Sequence, residues 1–185
     1  MIVNIRGTGG SGKSTIVRTV MERYSCAPQF VEGRRRPAGY LCERPSGAPL
    51  WVVGHYETPC GGGDTFPTPV AVFEHVRSAA SRGYDVLFEG IISQDDVVMT
   101  VGLKTASYRL LVILLDVPID ICIKSIRARR NERGDVRPLN PKNTVNRLKS
   151  LGRTVARLRD NAIEVRRLGR EPALRCVLGA LGWPE

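Results

Sequence analysis

The chain has 185 residues, of which 42% are hydrophobic and 25% charged, and it carries a formal net charge of +10. That length supports one hydrophobic core and is too short for a substantial second one. No stretch approaches the ~20 consecutive apolar residues that a membrane-crossing helix needs. The first strand begins at the initiator Met, which leaves no room for a leader, so the expected location is the cytoplasm of the cell that hosts the protein.

Met1 to Ile5 (MIVNI) is a short apolar, β-branched run that reads as a buried strand. Gly7 to Ser14 (GTGGSGKS) follows directly and is a complete G-x-x-x-x-G-K-[ST] phosphate-binding loop. In such a loop small residues let successive N–H groups converge on an anion, here those of Gly9, Gly10, Ser11, Gly12 and Thr15. Lys13 reaches the β- and γ-phosphates, and the Ser14 hydroxyl holds Mg²⁺. Lys13 to Tyr24 then places Ile16, Val17, Val20 and Met21 at helical spacing, so strand, loop and helix are all in place and the positive helix end faces the anion. The motif predicts a nucleoside triphosphate, ATP, with its Mg²⁺.

Ala38 to Glu43 and Pro49 to His55 read as two strands joined by the turn-forming Arg44-Pro45-Ser46-Gly47, a hairpin insertion spanning about 38–55. Trp51 within it belongs to the core. The loop Glu57 to Phe66 (ETPCGGGDTF) precedes an amphipathic helix over Pro67 to Arg82, which turns Val70, Val72, Phe73 and Val76 inward. Tyr84 to Phe88 is a strand closing on Glu89-Gly90, and Asp95 to Ser107 reads as a helix. Arg109 to Leu115 (RLLVILL) is the most apolar run and reads as a central parallel strand. Pro118 to Arg130 and Asn143 to Asn161 are helices flanking the polar loop 131–141. Ile163 to Leu168 is a last strand and Glu171 to Leu181 a closing helix. Alternating strands and helices opened by a phosphate loop predict a three-layer α/β P-loop fold over 1–185, with a parallel sheet of about five strands.

Cys26, Cys42, Cys60, Cys122 and Cys176 are odd in number and contain no C-x-x-C pair, so five reduced thiols are expected rather than a disulfide framework or a zinc site. The charge is concentrated. Pro118 to Arg170 holds 15 Lys and Arg against 5 Asp and Glu, which accounts for the whole net charge. Lys142, Arg147, Lys149, Arg153, Arg157 and Arg159 run along one predicted helix, and Arg34-Arg35-Arg36 form a second basic cluster. A stripe of that kind suits a polyanion such as DNA, although solvation alone would also explain it.

Phosphoryl transfer requires cations around the moving group and a carboxylate near the attacking hydroxyl. Glu89, at a strand end, is the first choice for metal or base. Asp64, beside Gly62 and Gly63 where substrate can approach closely, is nearly as good a base, and helix capping is its alternative role. Asp116 reads as a cap for the following helix. Tyr56 could stack on a base and Glu57 accept from one, while His55 reads as packing.

The string IRARRNERGDVRPLNP resembles small kinases of the nucleotide, shikimate and gluconate type, in which a strand ending in an acidic residue leads to an Arg-ended helix and an Arg-bearing lid. That resemblance implies a lid over about 127–141, with Arg127 and Arg130 or Arg133 on ATP and Arg137-Pro138-Leu139 as its closing segment. VLFEG resembles the E-G-[IL] sequence of uridine-kinase-like enzymes. GHYETPCGGGDTF, VLFEG, the Arg lid and RPLNPKNTVNRLKS together resemble small P-loop kinases of bacteriophages, including those that phosphorylate the hydroxymethyl group of 5-hydroxymethyluracil in DNA. The implied mechanism has Glu89 or Asp64 deprotonate an exocyclic CH₂OH while Lys13 and lid arginines neutralise the phosphoryl group, after the base has left the stack. Two other readings fit the same nucleotide half: a kinase of a free nucleoside, nucleotide or small metabolite, and a nucleic-acid-binding NTPase without an acceptor. The Arg lid argues against the second, because a lid excludes water.

Overall fold

The computed structural model describes residues 1–58, 61–90 and 95–183. Cys60 and the residue after Glu89-Gly90 lie outside the described residues. In chain order the elements are β1 Ile2–Arg6, α1 Lys13–Met21, β2 Ser25–Gln29, β3 Gly39–Glu43, β4 Leu50–Val53, α2 Pro69–Ser81, β5 Asp85–Glu89, α3 Asp95–Thr105, β6 Leu110–Leu115, α4 Ile119–Glu132, α5 Pro141–Asp160, β7 Val165–Leu168 and α6 Arg170–Ala180. One seven-stranded sheet has the order β2-β3-β4-β5-β1-β6-β7. β4, β5, β1, β6 and β7 are mutually parallel, while β3 runs antiparallel to both β4 and β2.

Every residue of β1 is buried, as a central parallel strand covered on both faces requires. One face is covered by α1 and α6, whose Ile16, Val17, Val20, Ala173 and Val177 pack with Val3, Ile5 and Ile113. On the other face α2 and α3 bring Val72, Phe73, Val76 and Leu103 against Ile2, Val86 and Phe88. α5 adds Leu151, Val155 and Leu158 beneath the β6–β7 side. The result is the expected three-layer α/β architecture. Helix starts follow local chemistry: Thr68 accepts from the Ala71 N–H ahead of Pro69, and Asn140 accepts from the Lys142 N–H ahead of Pro141.

Val70 of α2, read as turned inward, is 53% exposed, and three broader expectations need correction. First, the sheet has seven strands, because Ser25–Gln29 is an edge strand; its sequence SCAPQ is polar and contains Pro28, which hides it from a periodicity reading and suits an exposed edge. The 38–55 hairpin forms, but β4 also pairs with β5 and so extends the main sheet. Second, β2 sets Cys26 directly opposite Cys42, and the two are joined in a disulfide, leaving Cys122 and Cys176 as free thiols among the described residues. Third, Asp116 does not cap α4: Pro118 is at the cap position without a side-chain bond, and Asp116 accepts from Arg167 at 2.8 Å.

Candidate active site

Strand order reverses direction of growth at β1, so the crevice outside its carboxyl end is where a doubly wound sheet offers a binding site. β1 delivers Gly7 to that point and α1 begins at Lys13. Gly10 has φ +76, and a Cβ there would lie 2.2 Å from the Cys122 carbonyl oxygen, so the loop is pressed against the first turn of α4. Lys13 Nζ donates to the Gly7 and Thr8 carbonyls at 3.1 Å each. Burial pulls its ammonium pKa down, whereas the charges of Glu89 and Asp64 push it up and those of Arg147 and Arg129 oppose them. One lysine thus senses the end of β5, the turn carrying Asp64, α4 and α5.

Glu89 ends β5 and is 2% exposed. Burial raises its carboxyl pKa, while Lys13 and a hydrogen bond with Ser14 lower it. Its Oε1 is buried with no hydrogen-bond partner among the described residues. The glycine loop is fitted against this carboxylate. Gly62 has φ +75, and a Cβ on it would fall 2.5 Å from Glu89 Cγ. Its N–H donates to the His55 carbonyl at 3.0 Å, pinning the loop to the end of β4. Arg18 holds the chain between, donating to the Tyr56 and Thr58 carbonyls at 3.0 and 2.6 Å.

Asp64 occupies the single 3₁₀ turn Gly63–Thr65 and is exposed. Its Oδ1 would stand 3.5 Å from a Cβ on Gly90. Two cavities meet at this residue. A cleft of about 580 Å³ runs from Asp64 and Glu89 along the phosphate loop, Thr15 included, and on between Arg129 of α4 and Arg170 of α6. A smaller one of about 230 Å³ is lined by Lys13, Asp64, Arg130, Leu139, Asn143 and Arg147. The amino-terminal turns of α5 therefore reach the carboxylate.

The other predicted residues divide. Arg130 lines the smaller cavity, donates to the Arg137 carbonyl at 2.9 Å and lies 3.9 Å from Asp135. Arg137 is paired with Asp135 through two guanidinium nitrogens at 2.8 Å, which holds that carboxyl well below the ordinary range. Arg127 is exposed on α4 and lines neither cavity, and Arg133 is exposed at the end of α4. Tyr56 is 5% exposed in the core beside Tyr40, with no open ring face, and burial with the Glu89 charge keeps its phenol protonated. Glu57 is exposed, 3.6 Å from the buried His55 ring. Trp51 is partly buried, stacked on His75.

Besides Arg18, two further arginines carry no motif in the sequence. Arg170 donates to the Ser11 and Gly10 carbonyls at 2.9 and 3.1 Å, bracing the phosphate loop from the start of α6. Arg6, fully buried at the end of β1, pairs with Asp96 of α3 at 2.5 and 2.9 Å and also bonds Asn4 and Thr100. The only sequence signal for either is its place at a strand or helix end on the site side of the sheet.

The arrangement joins an anion-binding loop, a buried carboxylate beside a hydroxyl, a second carboxylate open to an adjoining cavity, and converging arginines. That is the equipment for moving a phosphoryl group. No helix among the described residues is long and apolar enough to cross a membrane. No family model matches the chain. It is 36% identical over 178 residues, 95% of this chain and 94% of the relative, to the "5-hmdU DNA kinase" of Pseudomonas phage PaMx11. It is 28% identical over 173 residues to that of Pseudomonas phage M6, covering 87% of this chain and 84% of the relative. Solved structures of the deoxyadenosine kinase from M. mycoides, with bound dATP or dCTP, cover 98% of this chain at TM-scores of 0.44 and 0.42 and identities of 12% and 14%. By its identity across nearly its whole length to the PaMx11 protein, the chain belongs to the family of phage 5-hmdU DNA kinases.

Proposed function

We propose that this enzyme transfers the γ-phosphoryl group of ATP to the hydroxymethyl oxygen of 5-hydroxymethyldeoxyuridine within DNA. The observation that carries the reading is the position of Asp64, where the cleft along the phosphate loop meets the cavity lined by α5. A donor in the first and an acceptor hydroxyl in the second would approach each other beside one carboxylate. Asp64 takes the hydroxyl proton, the hydroxymethyl oxygen bonds to the γ-phosphorus, the bond from that phosphorus to the bridging oxygen breaks, and ADP leaves.

The phosphate loop and Lys13 hold the β- and γ-phosphates, and Arg170 keeps the loop rigid. Residues 127–141 act as the lid of a single domain, in which Arg127, Arg130, Arg133 and Arg137 gather on the nucleotide as Asp135 gives up its partners. Ser14 and Glu89 fit Mg²⁺, since a hydroxyl and one buried carboxylate oxygen lacking a hydrogen bond are hard ligands of the kind that ion takes beside phosphate oxygens and water. Bound there, it would neutralise charge on the transferring group. Gly62 and Gly63 leave room for the acceptor next to Asp64.

The polyanion is supported by the exposed side of α5. Helical spacing puts Lys142, Lys149, Arg153 and Arg157 opposite the packed Leu151, Val155 and Leu158. Labelled ATP offered with duplexes containing 5-hydroxymethyluracil, matched thymine duplexes and the free nucleoside tests the reading. Label is expected in the hydroxymethylated DNA alone. Labelling of the free nucleoside alone would replace DNA by a small acceptor, and ATP hydrolysis without a labelled product would make the protein an NTPase.

A further inference from the structure

The segment Phe30-Val31-Glu32-Gly33-Arg34-Arg35-Arg36 joins β2 to β3 and has no part in the nucleotide site. The strand register brings it to the acceptor side nevertheless. Gln29 pairs with Gly39 and Gly39 with Val53, so this connection opens at the carboxyl end of β4, where the glycine loop lies. Arg34 fastens it there: its Nη2 donates to the Thr65 carbonyl at 3.4 Å, and its guanidinium lies 4.1 Å from the centre of the Phe66 ring. Thr65 is the neighbour of Asp64.

Beyond that anchor the segment is exposed. Phe30 is 60% and Val31 40% exposed, and Arg35 and Arg36 face solvent. An aromatic and a β-branched side chain left in water next to two exposed cations do nothing for the core, which Tyr40, Val52 and Val53 fill without them. Apolar tips flanked by arginines are what unstacks a duplex: the tip enters a base step and the cations hold the neighbouring phosphates. The opposite flank of Asp64 is also basic, through Arg147 and Arg130. A nucleotide leaving a helix could therefore enter between two cationic walls. Unstacking costs a few kcal/mol and is least for a base already unpaired.

Resting on the DNA reading above, we propose that this connection is the duplex-opening element of the enzyme. Phe30 fills the space that the target base vacates, and Arg35 and Arg36 grip the phosphates beside it. A free nucleoside would have no use for it.

The test compares a fully paired duplex holding one 5-hydroxymethyluracil with the same strand mismatched at that base or single. Phe30→Ala is expected to lower kcat/KM on the paired duplex by about 10-fold or more and on the unpaired substrates by less than about 3-fold, because only the paired base must be forced out. Phe30→Trp should restore the paired substrate. Arg35→Ala with Arg36→Ala should make the dependence of log affinity on log salt shallower by about 2. Equal loss on paired and unpaired DNA, or no loss on either, overturns the wedge while leaving the DNA reading standing. Wild-type protein that phosphorylates no DNA overturns that reading, and the wedge with it.

Discussion

Gly62 and Glu89 share a boundary with no room for a methyl group: a Cβ on Gly62 would stand 2.5 Å from Glu89 Cγ and 2.8 Å from its Oε1. Gly62→Ala should therefore displace the carboxylate as well as strain the backbone. Gly83 serves as the reference, since its φ of +80 is similar but nothing lies within 4 Å of its Cβ position. Gly83→Ala should cost about 1 kcal/mol of stability and leave turnover alone. Gly62→Ala should cost more and lower kcat by at least about 10-fold, as sub-ångström to ångström misplacement of a catalytic group does. Denaturant melts and steady-state kinetics on both variants check this, and equal behaviour would mean that the contact with Glu89 is immaterial.

The buried Arg6–Asp96 pair sits one residue before the phosphate loop and ties β1 to α3. Asp96→Asn removes the counter-charge and one of the four acceptors around a guanidinium buried in the core, and should destabilise the fold by about 3–5 kcal/mol. Replacing both at once, Arg6→Met with Asp96→Leu, should cost less than that single change, because no unpaired charge remains. A double variant worse than either single one would refute this reading of the pair.

His55 is buried, and burial lowers its pKa from the ordinary 6.5, opposed by Glu57. The folded protein therefore binds fewer protons than the unfolded chain just below pH 6.5, so stability is full above that value and falls as pH drops through it. His75 shifts in the same direction and adds to the slope. His55→Gln should flatten part of the decline in Tm between neutral and mildly acidic pH. An unchanged slope would mean that burial of the His55 ring does not shift its titration between the folded and unfolded chain.

Arg153 and Arg157 lie on the exposed side of α5. Their double replacement by alanine should weaken DNA binding and reduce its salt dependence by about one to two phosphates' worth, with ATP affinity unchanged. Unaltered salt dependence would make that face a solubility device.

The parallel strands, the six α-helices among the described residues and the phosphate loop are legible because each rests on local pattern: apolar runs, helical spacing and a contiguous motif. β2 was not, since SCAPQ owes its strand to pairing with β3, and the disulfide was hidden with it. The same distinction runs through the site. Glu89 and Asp64 could be singled out because strand ends and glycine loops are visible in sequence. Arg170, 157 positions from Lys13, could not, because its contact with Gly10 and Ser11 exists only once α6 is placed beside α1. The burial of Tyr56 likewise follows from Tyr40 on a neighbouring strand.

Asp64 and Glu89 should separate in kinetics. Glu89→Gln is expected to raise the Mg²⁺ concentration needed for half-maximal rate, whereas Asp64→Asn should leave that requirement and ATP affinity intact. The most direct measurement is single-turnover phosphate transfer from ATP to a duplex containing 5-hydroxymethyluracil, by the wild type and by Asp64→Asn. Wild-type protein should place one phosphate on the hydroxymethyl group, and Asp64→Asn should bind ATP and DNA normally yet transfer about 10²–10⁴-fold more slowly. Transfer by Asp64→Asn at the wild-type rate, or wild-type transfer to the free nucleoside and never to DNA, would contradict it.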